Sequence, residues 1–210
     1  MQITYYKPNE IEGESFAIIG GELAERGIVL PKDQEPVTKR LTHTTADFEY
    51  VDTLTFSPNA VETAKQLILQ GADIVTDTNM ALAGINKTAL ARHGGTAHCF
   101  MAEPEVARIA GERQTTRAAV SMEFAARLPK PVIFAVGNAP TALIRLYEMI
   151  REGTYRPAFI IGVPVGFVNV EAAKELILET DVPHIVNRGR KGGSNVAAAI
   201  CNAILYELAR

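Results

Sequence analysis

The chain has no tryptophan, only two cysteines, and no apolar run long enough to span a bilayer. Cys99 and Cys201 lie far apart and make no metal-spaced pair, and none of His43, His93, His98 and His184 has a ligand-spaced neighbour. No metal site is therefore expected. A pair of cysteines so separated fits a reducing compartment, so a cytoplasmic location is expected. Charge of either sign is not in excess: 21 Lys and Arg stand against 24 Asp and Glu, a net charge of −3. That gives no general reason to bind nucleic acid or an acidic membrane, and any affinity for anions must be local. The opening "MQITYYKPNE" lacks a basic start followed by an apolar core, so no secretory signal is expected. Repeats, linkers and low-complexity tracts are also missing. The 210 residues are expected to form one domain, 1–210, with a full core.

What is present is a regular alternation. "NEIEGESFAIIGGELAERG" reads as a helix with Asn9 as cap and Gly27 as terminator, and "EPVTKRLTHTTADF" reads as a second starting at Pro36. "YVDTLTF" reads as a strand, with Ser57-Pro58 capping the helix "NAVETAKQLILQG". "ADIVTDT" and "GTAHCFM" read as strands, and "PEVARIAGERQTTRAAVSMEFAARL" as helix broken near Gly111. Three strand-helix pairs follow: "PVIFAVG" with "NAPTALIRLYEMIREG", "PAFIIGVP" with "NVEAAKELILET", and "PHIVN" with a last helix from Ser194. Strands that are apolar throughout and alternate with helices predict an α/β protein, a three-layer α/β/α domain around a mostly parallel sheet.

In such sheets ligands bind beyond the carboxyl ends of the strands. The loops there are "TDTNMA", "VGNAPTA", "GVPVGF" and "NRGRKGGSN". They are rich in glycine, proline, asparagine and threonine, and two run into helix N-termini whose free N–H groups favour anions. The last carries Arg188, Arg190 and Lys191 among Gly189, Gly192 and Gly193, followed by Ser194. It matches neither a phosphate loop nor a dinucleotide fingerprint, so a nucleotide or phosphate-sugar ligand has weak support; a solvated turn and an anion site both fit. Arg113 and Arg117, four apart, could clamp a carboxylate if they share a helix face, or form an exposed cationic face. Ser15 has no G-x-S-x-G elbow. His43 stands apart from the other histidines because Arg40, Thr44, Thr45 and Asp47 surround it. The residues alone reach an α/β protein with a site for a polyanionic ligand and one histidine, His43, that is a candidate for catalysis; they do not reach a reaction.

The stretches "ESFAII", "KRLTHTTADFEY", "FSPNAV", "TDTNMALAGI", "TTRAA", "VGNAPTAL", "IIGVPVGFVNVEAAKELI" and "NRGRKGGSNVAAAICNA", in this order, resemble the precorrin-8X methylmutase family, in particular its cobalt-precorrin-8 branch. "TDTN" departs from the more acidic loop of the metal-free branch. The resemblance implies an isomerase of cobalamin biosynthesis that moves a methyl group from C-11 to C-12 of a corrin ring, giving hydrogenobyrinate or cobyrinate. It implies His43 as proton donor and acceptor. Substrate contacts are implied for Ser15, Arg40, Arg117, Asn79, Asn138 and the 188–194 loop (Arg188, Gly189, Arg190, Lys191, Gly192, Gly193, Ser194). The substrate is a polycarboxylate with an apolar centre, which the loop cations would rim. No organic cofactor is implied, and cobalt, where present, is part of the substrate.

A corrin-binding carrier without turnover is the competing reading; His43 beside Arg40 favours catalysis. The last helix, "SNVAAAICNAILYELAR", is apolar or small around most of its circumference until Glu207. A helix apolar on every side must be covered on every side. Cover by a second subunit predicts a closed homodimer, and a helix central within the monomer is the alternative. Hand-over of the ring to neighbouring enzymes of the corrin pathway is a further expected partnership.

Overall fold

The structure, a computed structural model, describes residues 5–8 and 10–209. The expected cap Asn9 lies outside them. In chain order the elements are α1 (Ile11–Glu25), α2 (Glu35–Thr45), α3 (Glu49–Thr53), β1 (Leu54–Phe56), α4 (Ala60–Leu69), β2 (Asp73–Thr76), α5 (Asn79–Gly84) and α6 (Lys87–Ala91). They continue with β3 (Ala97–His98), α7 (Pro104–Glu112), α8 (Arg117–Ala125), β4 (Val132–Val136), α9 (Pro140–Arg151), β5 (Phe159–Gly162), α10 (Val170–Leu178), β6 (His184–Asn187) and α11 (Ser194–Glu207).

The strands form one six-stranded sheet in the order β1-β6-β5-β4-β2-β3, parallel except for the edge pair β1–β6. The central strands β2, β4, β5 and β6 are buried along their whole length. Alternate residues face opposite sides. Ile133, Ala135 and Ile161 join α2, α4, α5, α6 and α11 in one core, whereas Phe134, Val136 and Ile160 join α8, α9 and α10 in the other. This is the three-layer α/β/α arrangement expected from apolar strands alternating with helices.

Helix α11 decides the packing of the first layer. It lies against β4 and β5 and is flanked by α2, α4, α5 and α6, and Val196 to Cys201 and Ala203 to Leu205 are all buried. Its cover therefore comes from within the chain, chiefly from α2 through Val37 and Leu41. The argument from this helix to a second subunit fails for that reason.

Several local expectations are corrected. Residues 50–53 are helical, because Asp47 Oδ1 accepts the Glu49 N–H at 2.9 Å and starts a turn, leaving only Leu54–Phe56 to pair with β6. Ser57 is not the cap of α4. Its Oγ accepts the His184 N–H at 2.9 Å, and Asn59, at φ 55°, occupies the cap position. The α7–α8 break falls after Gly111, at Gln114 (φ 52°), and Thr116 Oγ1 caps α8 by accepting the Ala119 N–H. In "GTAHCFM" only Ala97 and His98 pair, at the sheet edge. Helices α5 and α6, capped by Thr78 and Asn86, were not expected.

Candidate active site

The four loops at the strand carboxyl ends form one continuous surface. After β2, Thr78 Oγ1 shares a 2.8 Å hydrogen bond with Ser194 Oγ. After β4, Gly137 lies so near the last loop that a Cβ there would sit 2.6 Å from the Gly193 carbonyl. After β5, Val163 O accepts the Gly193 N–H at 2.9 Å, and the Gly166 N–H donates to Arg190 O at 3.1 Å. A Cβ on Gly192 would meet Pro164 O at 2.7 Å, so only glycine allows this closure. Thr116 Oγ1 donates to Thr141 Oγ1 at 2.8 Å, which brings Arg117, at the start of α8, to the same end of the sheet.

The N-terminus of α9 is already filled. Asp77, fully buried, accepts the Gly137 N–H on Oδ1 at 2.8 Å and the N–H groups of Asn138 and Ala139 on Oδ2 at 2.8 and 2.6 Å. Burial raises its pKa above the usual carboxylate value, and the amide bonds pull the other way. The expectation that the "VGNAPTA" amides are free for an external anion is thus corrected: the protein supplies the anion itself. Asn138 keeps an exposed side chain, as does Asn79 at the start of α5.

The loop after β6 is held differently. Lys174 of α10 is fully buried, and its Nζ donates to Gly189 O at 2.7 Å and Lys191 O at 2.8 Å. Desolvation lowers its pKa to about 8. Asn187, also buried, donates through Nδ2 to Arg188 O and Lys191 O at 3.1 and 2.9 Å and accepts the Thr53 hydroxyl on Oδ1 at 2.7 Å. The cationic side chains of the loop point out. Arg188 pairs with Glu175 at 3.4 Å, and Arg190 pairs with Glu171 at 3.3 Å and lies 5.4 Å over the Phe167 ring. Lys191 reaches Asp47 at 2.5 Å and Glu49 at 2.7 Å, which raises the lysine pKa and lowers that of Asp47. Arg117 makes no ion pair among the described residues. Met80, Phe167 and Val168 are exposed apolar side chains on these same loops.

The Asp47–Lys191 pair fastens the end of α2 to this rim, and His43 stands in the last turn of α2. The helix stops at Ala46, which takes the left-handed conformation (φ 53°). The His43 ring meets Phe16 of α1 edge-on, centroids 5.6 Å apart. His43 opens into a shallow cavity of about 270 Å³ shared with Ser15, Ile18, Ile19, Glu22, Thr42, Ala46 and Phe48. Arg40, one turn earlier, meets the same Phe16 ring and lines an adjoining cavity with Lys39 and Tyr206. Its guanidinium makes a two-pronged pair with Glu12 at 2.9 and 2.7 Å and is sandwiched between Phe16 and Tyr206 at 5.1 and 5.0 Å. Among the described residues no cluster of three or more His, Cys, Asp or Glu could hold a metal, and no helix is long and apolar enough to cross a membrane.

The precorrin-8X methylmutase family model matches residues 10–207. The cobalt-precorrin-8 methylmutase of Salmonella typhimurium is 42% identical over 207 residues, covering 96% of each chain. That of Priestia megaterium is 40% identical over 198 residues, covering 94% of this chain and 87% of its own. The crystal structure of the Thermus thermophilus precorrin-8X methyl mutase superposes with a TM-score of 0.85 at 40% identity, over 95% of this chain and 98% of that one. This chain belongs to the precorrin-8X methylmutase family. It is an isomerase, a methylmutase of cobalamin biosynthesis, as the sequence resemblance implied.

For the methylmutase, then, the structure gathers the 188–194 loop, Asn79, Asn138 and Arg117 at one end of the sheet, with the turn of His43 pinned to it and Ser15 beside His43. It does not pair Arg113 with Arg117. They stand on either side of the helix break, and Arg113 instead pairs with Glu123 at 2.8 Å. Sequence reasoning missed Asp77, Lys174 and Asn187. Lys174 had a signal: with Val170, Ala173 and Ile177 it occupies the buried face of α10, where an unpaired lysine would be costly.

Proposed function

We propose that the methylmutase moves a methyl group from C-11 to C-12 of precorrin-8X or cobalt-precorrin-8, giving hydrogenobyrinate or cobyrinate, with His43 as proton donor and acceptor. The observation that carries this reading is the placement of His43: in an open, largely apolar cavity, on a turn fastened to a rim of arginine and lysine. The methyl stays within one molecule, so no nucleophile, oxidant or reductant is needed. The protein must hold the reactive tautomer, put a proton on the ring system and take one back, which suits an imidazole. Arg117 receives an acetate or propionate group directly, and Arg188, Arg190 and Lys191 do so by exchanging their present carboxylate partners for those of the substrate. Arg40 would give up Glu12 in the same exchange, and Ser15, Asn79, Asn138 and Ser194 donate or accept at the margins. Cobalt, where present, enters as part of the substrate, and the reaction uses no resident cofactor.

We further propose that the protein works in the cytoplasm as a homodimer and passes the ring to the next enzyme of the pathway. Ile11 and Ile18, two turns apart on α1, are exposed, and Ile18 borders the His43 cavity. A second copy seated on α1 would cover both side chains and deepen that cavity. Light scattering at micromolar concentration is expected to give twice the chain mass; a monomer mass would refute the dimer.

The test of the reaction is incubation with precorrin-8X and, separately, cobalt-precorrin-8 while the absorption spectrum is followed. Conversion to the rearranged corrin is expected, and His43→Ala should slow it by about 10²–10⁴-fold while still binding the ring. Binding by the wild type without conversion would make the protein a carrier, and near-normal turnover in His43→Ala would remove the histidine's role.

A further inference from the structure

Helix α10 presents three charged residues, Glu171, Lys174 and Glu175, to the loop that follows β6. The two glutamates hold the outward side chains of Arg190 and Arg188, whereas Lys174 works on the backbone from the inside. Its ammonium draws the carbonyls of Gly189 and Lys191 toward the core, and Asn187 draws those of Arg188 and Lys191. No peptide bond in the described chain is cis. In a trans peptide the carbonyl and the following N–H point in opposite directions. Drawing in the carbonyls of residues 188, 189 and 191 therefore turns out the N–H groups of Gly189, Arg190 and Gly192. None of these donates to an acceptor among the described residues, nor does the N–H of Lys191, which follows the carbonyl that Gly166 engages, whereas the flanking N–H groups of Arg188 and Gly193 are taken by Thr53 O and Val163 O, each at 2.9 Å. Gly189, at φ 72°, allows the turn that alternates the peptide planes in this way.

We propose that Lys174 is a positioning residue whose buried ammonium holds the 188–192 backbone with the amides of Gly189, Arg190 and Gly192 turned outward, as a receptor for one carboxylate of the corrin substrate. The loop thus recognises that carboxylate through fixed N–H donors as well as through mobile side chains. A burial this complete is otherwise unfavourable for a lysine, and its lowered pKa reflects the cost of keeping the charge there. The return is a set of donors fixed before the ligand arrives, which arginines on an exposed loop do not provide. This inference rests on the reading of the substrate as a polycarboxylate corrin.

The test is binding of the corrinoid acid product and its fully amidated form, followed by absorbance, in the wild type and in Lys174→Met. The wild type is expected to favour the acid. The variant should bind the acid about tenfold more weakly or worse, bind the amide as before, and turn over the bound substrate at an unchanged kcat. A folded variant with wild-type preference for the acid overturns the proposal. A variant that loses acid and amide equally shows a structural role only, and also overturns it. A second measurement needs no variant. In the ¹⁵N-labelled wild type, the acid should shift the amide protons of Gly189, Arg190 and Gly192 downfield and leave that of Gly137, already bonded to Asp77, in place. If the acid binds and those three do not move, the proposal is wrong. If the wild type binds no corrinoid at all, the functional reading fails and this inference goes with it.

Discussion

Two neighbouring loops of this methylmutase look alike in sequence and behave in opposite ways. "VGNAPTA" and "NRGRKGGSN" each follow a buried strand, carry glycine and lead into a helix. At the first, the carboxylate of Asp77 reaches up from β2 and takes three backbone N–H groups, so the helix end is closed. At the second, the buried partner is a cation. Lys174 takes carbonyls, and the amides are left facing out. The sign of one buried side chain decides whether a glycine-rich loop is a piece of internal architecture or a place for an external anion. The opposite charges suit their surroundings: the acid meets N–H donors and the lysine meets acceptors, so neither is left unpaired in the core.

Breaking the closed loop should have the largest effect. Asp77→Ala leaves three inward N–H groups without an acceptor and is expected to destabilise the fold by roughly 3 kcal/mol or more, read from urea denaturation; Asp77→Asn should cost less. A loss under about 0.5 kcal/mol, the range of ordinary surface changes, would mean that Asp77 does not hold the end of β2 to the loop after β4. The open loop should respond in binding and not in stability. Arg190→Gln is expected to weaken the corrinoid acid by roughly 1–3 kcal/mol per lost contact, with an unchanged denaturation midpoint. A shifted midpoint with unchanged affinity would reverse the assignment.

The pH dependence sharpens the contrast, because Asp77 and Asp47 are displaced in opposite directions. Asp47 has its pKa lowered by the hydrogen bond from Lys191, so its contribution is present above the unfolded value of about 3.9 and lost as pH falls through the folded value. Asp77 has a raised pKa, so the stability linked to its protonation is present at acid pH and lost as pH rises through the folded value. The advantage of the wild type over Asp47→Asn should therefore shrink on acidification, whereas its advantage over Asp77→Asn should grow. Denaturation midpoints at several acid pH values check both slopes, and equal slopes would contradict the assignment. The smallest effect belongs away from both loops. Arg108, exposed between Glu105 and Glu112 on α7, should be replaceable by alanine with no measurable change in stability or activity.

Much of this was legible before the structure. Four central strands without polar alternation imply a sheet covered on both faces, and helices α9, α10 and α11 follow from their apolar spacing and from Pro140 and Ser194 at their starts. The loops at the strand ends were legible as a surface for the same reason. The rest depends on partners distant in sequence. Asp77 lies sixty residues from the amides it binds, and a carboxylate at a strand end looks the same whether it faces solvent or a helix. The apolar circumference of α11 was read correctly as needing full cover, but which element covers it depends on how α2 folds back, and that is not a local property. Arg113 and Arg117 show the converse error: a spacing of four means a shared face only within an unbroken helix, and Gln114 breaks it. Lys174 could have been found, since it sits where the helical period demands an apolar residue.

The central claim is that this chain moves a methyl group within one corrin molecule, and an isotope label follows that directly. Precorrin-8X or cobalt-precorrin-8 carrying ¹³C in the C-11 methyl group is mixed with unlabelled substrate bearing deuterium elsewhere on the ring, and the product is examined by NMR and mass spectrometry. The account predicts that the label reappears at C-12, on the same molecules that began with it and at full retention. A label that stays at C-11, or that crosses to the deuterated ring, would contradict it.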